Sequence, residues 1–195
     1  MPPKHIHLIR HAQSEHNARA LSVPDEEVVR RDPGMRDAPL SALGHAQALA
    51  LAAEISALPQ IELVVTTPLT RAIQTMLAAF ANHAALRLVE PLHRECLDAY
   101  CDIGRAPAAL AADFPLLRFD HLPDPWWHTA ALATDPAAPP FAREDHATLD
   151  HRISAFRAWL AARPEREIAV IGHSSFLRRM TGRDFANAQR IVLPL

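Results

Sequence analysis

The chain has 195 residues, 49% of them hydrophobic and 22% charged, a balance that can fill a core and excludes disordered, collagen-like and coiled-coil chains. At roughly 150 residues per domain, this length predicts a single domain over residues 1–195 with an irregular insertion at about 95–140. A formal net charge of -2 supplies no basic field for a polyanion, so neither nucleic acid nor a membrane surface is an expected partner, and any phosphate must be held by local charges.

The first strand is expected at His5-Ile6-His7-Leu8-Ile9, apolar at its centre and running straight into a polar cluster. Leu21 to Pro39 carries prolines, a glycine and many charges without sustained period and reads as a surface loop. Ser41 then caps a helix whose apolar positions run from Leu43 to Leu58, with Pro59 as its stop. A second strand follows at Ile61 to Thr66, and Thr67-Pro68 reads as a cap and first-turn proline opening a helix to about Asn82. Leu86 to Val89 is a third strand. Glu95 to Pro140 is irregular, with one helical piece near Ala106 to Asp113 and the pair Trp126-Trp127, expected to pack a proline-rich wall over one face. Glu144 to Ala162 has apolar residues at helical spacing, Ile168 to Ile171 is a fourth strand, Ser174 to Met180 opens another helix, and Ile191-Val192-Leu193 fits an edge strand.

Strands alternating with helices predict an α/β fold with a mostly parallel sheet, in which ligands gather beyond the carboxyl ends of the strands. Three strands end in reactive side chains: Arg10-His11, Thr67 to Arg71, and Gly172-His173-Ser174. Brought to one sheet end, two arginines and two histidines form a positive pocket whose burial makes sense only with an anion to neutralise it. Phosphate fits, because guanidinium forks match its oxygens and helix N-termini offer free N–H groups.

Leu8-Ile9-Arg10-His11-Ala12-Gln13-Ser14-Glu15-His16-Asn17 resembles the signature of the histidine phosphatase superfamily, also called phosphoglycerate mutase-like. Four further stretches match in the family's order: Pro39 to Ala48, Thr67 to Thr75, Leu92-His93-Arg94-Glu95, and Ile168 to His173. The resemblance implies a three-layer α/β/α fold with a mostly parallel central sheet, phosphoglycerate mutase-like. It implies a phosphatase acting on a small phosphorylated metabolite without metal or other cofactor. In that reading His11 takes the phosphoryl group as a phosphohistidine, Arg10, Arg71 and His173 hold its oxygens, and Glu95 exchanges protons with the leaving group and the water. Asn17 and Ser174 complete the phosphate pocket. Glu90, Asp98 and Asp102 compete with Glu95 as carboxylates of the same region.

Other readings stand beside this one. The chain departs from the family pattern at Ala12, Gln13, His16 and Ser174, and the place of a second acidic element is taken by Cys101-Asp102-Ile103-Gly104, which bears on the substrate and the proton donor. A second enzymatic reading is a mutase that excludes water and returns the phosphoryl group to its substrate. Ala12 and Gln13 motivate a third reading, a phospholigand-binding protein without turnover. The few basic residues of the irregular region, Arg94, Arg105 and Arg118, argue against an inositol polyphosphate. His5 and His7 share a strand face and His7 and His11 could approach as a metal-binding pair, but no carboxylate or cysteine at ligand spacing completes a set. Cys96 and Cys101 are expected to be free thiols, and with no apolar leader or run of roughly 20 residues able to cross a bilayer, the expected location is cytoplasmic.

Overall fold

A computed structural model describes residues 3–129 and 143–195. Its centre is a sheet of five strands, β1 (His5–Arg10), β2 (Leu63–Thr66), β3 (Leu86–Val89), β4 (Glu167–Gly172) and β5 (Arg190–Pro194), in the order β3-β2-β4-β1-β5. The first four are parallel, and β5 closes one edge antiparallel to β1. The buried residues of β1, β2 and β4 run as nearly continuous apolar stretches, as parallel strands covered on both faces do.

The two faces are read from alternate residues. Ile9, Val64, Ala169 and Ile171 pack with Leu51 and Ile55 of α3 (Ala42–Ser56) and with Ile73 and Met76 of α4 (Thr70–Ala79). Ile6, Leu8, Leu63, Val65, Ile168 and Val170 pack on the other face. They meet Ile153 and Phe156 of α6 (His146–Ala162) and Phe176 and Leu177 of α7 (Ser174–Thr181). This is the expected three-layer α/β/α arrangement. Two short helices, α1 (Glu15–Ala20) and α2 (Glu26–Arg30), follow β1, and α5 (Pro107–Asp113) lies in the irregular stretch.

Three details differ from the sequence reading. The stretch 21–39 is not loop throughout: Asp25 accepts from the Glu27 N–H and opens α2, and Asp32 accepts from the Gly34 N–H ahead of a 3-10 turn at Pro33–Met35. Elements this short show no periodicity. The helix after β2 begins at Thr70 and not at Pro68: Leu69 is still extended, at φ -71° and ψ 131°, and is the residue before the first turn, while the Thr67 hydroxyl is bonded to His173 instead of capping the helix. The residue before a proline also disfavours helical geometry. Finally, the segment after Glu95 is not only a wall. Leu110, Leu117, Phe119, Leu122 and Trp126 are buried in the core against β4 and α4, with the Trp126 indole N–H donating to the Arg105 carbonyl at 2.9 Å. The last part of the expected insertion, 130–140, lies outside the described residues.

Candidate active site

The strand register builds the site. Arg10 pairs with Gly172 across β1 and β4, so the next residues, His11 and His173, leave the sheet side by side, their ring centroids 5.1 Å apart. On the far side of β4, Thr66 pairs with Ile171, which sets Thr67 beside His173. The Thr67 hydroxyl and His173 Nε2 share a hydrogen bond of 2.7 Å. Three strand ends therefore converge on one point, as expected for the carboxyl edge of a parallel sheet.

His11 is 3% exposed. Its Nδ1 donates to the Ala12 carbonyl at 2.7 Å, which assigns the proton to that nitrogen and makes Nε2 the acceptor. Arg71 Nε–H donates to Nε2 at 3.3 Å. Burial, Arg71 and Arg10 hold the His11 pKa well below the usual imidazole range, so the ring is neutral near neutral pH. His173 is neutral for the same reasons, burial first and Arg71 next.

Arg71 stands in the first turn of α4, where a cation faces an unfavourable helix dipole. Its compensation comes from the segment after Glu95. Asp102 Oδ1 accepts from Nη2 at 2.9 Å and the Cys101 carbonyl accepts from Nη1 at 2.6 Å. Burial alone would lower the Arg71 pKa, and the acidic groups around it, Cys101, Asp102 and Glu95 among them, raise it. Arg10 donates from Nη1 to the Phe185 carbonyl at 2.7 Å, which anchors the guanidinium beside the cleft.

Glu95 closes the opposite wall. Its carboxylate accepts from the Ser175 and Phe176 N–H groups at 3.1 and 3.0 Å, and from its neighbour Cys96 at 2.9 Å. It thus caps the start of α7, where His173 offers no side-chain cap of its own. Burial and the negative Asp102 push its pKa above the usual carboxylate value. Asp102, likewise buried, is also raised.

Asn17 is held with equal economy. It forms a capping box with Ser14, and its Oδ1 accepts from the Ser14 N–H at 3.2 Å and from Asn187 Nδ2 at 3.4 Å, leaving its own amide N–H group free. These side chains surround a cleft of about 390 Å³ whose lining includes Arg10, His11, Asn17, Arg71, Glu95 and Ser174, with His173 packed directly behind His11. Arg10, His11, Asn17, Arg71, Glu95, His173 and Ser174 meet here, as do the rival carboxylates Asp98 and Asp102, whereas Glu90 lies outside the cleft and accepts from the Leu92 N–H at 3.0 Å. The departures Ala12 and Gln13 do not face the cleft. Ala12 is buried against Leu40 and Ala48, and Gln13 accepts from the Ser41 hydroxyl at 2.7 Å.

Thr67, Asp102 and Asn187 belong to the site as well. Asp102 was one of several rival carboxylates in the sequence, whereas nothing marked Thr67 as a histidine partner or Asn187, which donates to the His11 carbonyl at 3.0 Å from the loop before β5. Arg94, Arg105 and Arg118 do not line the cleft: they pair with Glu144, with Asp37 and Asp113, and with Asp120. Nor do His5 and His7 reach it. At the other end of β1 they bond to Glu167 at 2.6 and 2.8 Å, a carboxylate supplied by strand register and hence invisible in the spacing. Cys96 and Cys101 are free thiols, as expected. Burial, and for Cys101 the nearby Asp102, raises both thiol pKa values, so neither is an activated nucleophile.

Comparison with known proteins finds relatives over nearly the whole chain. The family model for the histidine phosphatase superfamily (branch 1) matches residues 6–192. A Schizosaccharomyces pombe protein named "Probable phosphatase" is 29% identical over 185 residues, 90% of this chain and 76% of that protein. An Arabidopsis thaliana "Phosphoglycerate mutase-like protein" is 27% identical over 206 residues, 89% of this chain and 72% of that one. Among solved structures, a mycobacterial glucosyl-3-phosphoglycerate phosphatase is similar in fold, with a TM-score of 0.59 at 20% identity, covering 97% of this chain and 92% of that one.

Proposed function

The chain belongs to the histidine phosphatase superfamily, and from that premise we propose that it is a phosphatase that hydrolyses a small phosphomonoester through a phosphohistidine at His11, without need of a metal. The observation that carries this reading is the neutral imidazole of His11. Its Nδ1–H is fixed on a carbonyl, its Nε2 is the unprotonated nitrogen held by Arg71 Nε–H, and the side chain lines the cleft.

In the first step His11 Nε2 attacks phosphorus, a P–N bond forms and the ester P–O bond breaks. Arg10 and Arg71 neutralise the equatorial oxygens, the contribution expected to dominate phosphoryl transfer, and Asn17 and the neutral His173 add hydrogen-bond donors. Ser174, at the first turn of α7 and on the cleft wall, adds a hydroxyl and a backbone N–H at a helix start. The leaving oxygen takes its proton from Glu95, whose raised pKa suits a carboxyl that must be protonated part of the time. In the second step water attacks phosphorus, Glu95 takes the water's proton, and the P–N electron pair returns to His11. Ala12 and Gln13 lie outside the cleft lining, which favours turnover over mere binding.

The purified protein, in excess chelator, is expected to release phosphate from p-nitrophenyl phosphate, and alkaline quenching during turnover should trap an acid-labile phosphoryl group on the chain. His11→Ala should abolish both. Phosphate release retained by that variant would refute the mechanism. Isomerisation of a phosphoglycerate in place of phosphate release would replace hydrolysis by a mutase.

A further inference from the structure

Outward from the phosphate cage the cleft opens into a mouth whose charges are already committed. Among the described residues, Arg30 of α2 is the one basic side chain lining the cleft besides Arg10 and Arg71. Its Nη1 donates to Asp98 Oδ2, and its Nη2 stands 3.7 Å from Glu26 Oε2. From the outer side, Arg143 reaches the same carboxylate, with Nε 3.0 Å from Asp98 Oδ1, and also binds Glu27 at 3.3 Å. Asp98 therefore gathers two guanidinium groups onto itself, and both are additionally satisfied by carboxylates of α2.

What remains free at the mouth is uncharged. Ala20, Leu21, Ala99 and Ser175 line it, and His16 stays neutral near neutral pH because burial lowers its pKa. A second anionic group on an incoming ester would have to draw Arg30 away from two carboxylates, or lie beside Glu26 and Asp98 without a counter-charge. A hydroxyl meets neither cost, and finds Ser175 and the carboxylate oxygens as partners.

We propose that this cleft takes a phosphomonoester whose organic part is hydroxylated and carries no second anionic group, a polyol or sugar phosphate, and that Asp98 sets this specificity by holding Arg30 and Arg143 away from the ligand. The proposal rests on the phosphatase reading of the same cleft and goes beyond it in naming the class of substrate and the residue that selects it.

The test compares kcat/KM for sn-glycerol 1-phosphate and D-3-phosphoglycerate, which have the same chain length and the same configuration at the central carbon and differ in a hydroxymethyl group against a carboxylate. p-Nitrophenyl phosphate is run alongside. The wild-type protein is expected to favour glycerol phosphate by about tenfold, close to the worth of one charge contact that solvent largely screens and well below that of an unscreened one. Asp98→Asn, which frees Arg30 and Arg143, should shrink that ratio by about fivefold or reverse it, and Glu26→Gln, on the exposed face of α2, should shift it in the same direction by less. A ratio is insensitive to the fraction of a variant that folds. A wild-type ratio near one or favouring the carboxylate, or an unchanged ratio in both variants, overturns the proposal while leaving the phosphatase reading intact. Failure to hydrolyse any of the three esters takes both down together.

Discussion

Asp102→Asn isolates what the segment after Glu95 contributes to the cage. Arg71 and Asp102 are 3% and 5% exposed, and their contact of 2.9 Å is a buried ion pair. The other carboxylate oxygen of Asp102 accepts from the Asp98 and Ala99 N–H groups at 3.2 and 3.0 Å. An asparagine cannot serve both sets. With its oxygen toward Arg71, its NH2 faces two backbone donors, and turned around, it points that NH2 at a guanidinium. Removing one partner of a buried pair costs about 3–5 kcal/mol, and since the remaining amide dipole keeps part of the interaction, about 3 kcal/mol is expected. At about 2–4 °C per kcal/mol for a chain of this size, the melting temperature should fall by about 6–12 °C.

The same substitution should strengthen anion binding. In the wild-type protein Asp102 occupies Arg71 and repels an incoming phosphate. In the variant the anion becomes the missing counter-charge. Taking one less carboxylate beside a phosphate as worth about tenfold in Kd, saturating phosphate or vanadate should raise the variant's melting temperature by about 3–6 °C more than it raises the wild type's. Differential scanning fluorimetry over a phosphate titration reads both effects. If phosphate stabilises the variant no more than the wild type, Asp102 does not compete with the anion for Arg71, and the assignment of this cleft as an anion cage fails with it.

Thr67→Val keeps the volume and removes the hydroxyl bonded to His173, leaving a fully buried imidazole nitrogen unpaired; unfolding in urea should show a loss of about 1–3 kcal/mol, with kcat/KM on an aryl phosphate falling in parallel. Gly44→Ala would place a Cβ 1.9 Å from the Gln13 carbonyl oxygen, a backbone atom that cannot turn aside, so a loss of about 3 kcal/mol and displacement of the segment after His11 are expected, with calorimetry and activity as readouts. His93 reports on pH. Burial holds its pKa down at about 3, so the folded chain leaves it neutral while the unfolded chain protonates it near 6.5. Below 6.5 the folded state binds fewer protons, and stability complete above that value is lost as pH falls toward 3. Between about pH 7.5 and 5.5 one such histidine accounts for about 1.4 kcal/mol, so His93→Met should lose that much less stability than wild type over the interval, and equal losses in the two chains would contradict the assignment.

The layers of the fold were legible because parallel strands buried on both faces announce themselves as short apolar runs: Leu86–Val89 was placed to the residue, and the others within a residue or two of their ends. The cage was legible for a different reason. His11 and His173 each follow a strand directly, and a parallel sheet brings such positions to one edge whatever the register proves to be. What the chain hid is whatever depends on that register or on irregular backbone. Glu167 lies between His5 and His7 because β1 and β4 pair residue 5 with residue 167, a relation with no trace in local spacing. Asn187 reaches the His11 carbonyl, and Asp102 reaches Arg71, from stretches without period.

Glu95 shows how the two kinds of information meet. Its place in the chain marks it as a carboxylate near the site, but only the structure reveals that its oxygens accept from Ser175 and Phe176 and so cap the helix that begins at Ser174. Those bonds favour the ionised form, while burial and Asp102 oppose it more strongly. A carboxyl balanced between these demands, on the wall of a cleft that also holds a neutral imidazole, can give up a proton in one half of a reaction and accept one in the other. Had the helix a side-chain cap of its own at His173, Glu95 would lose both its anchor and its reason to stand where it does. The capping vacancy at the start of α7 is therefore the local feature that ties the helix geometry to the proton chemistry proposed for this site.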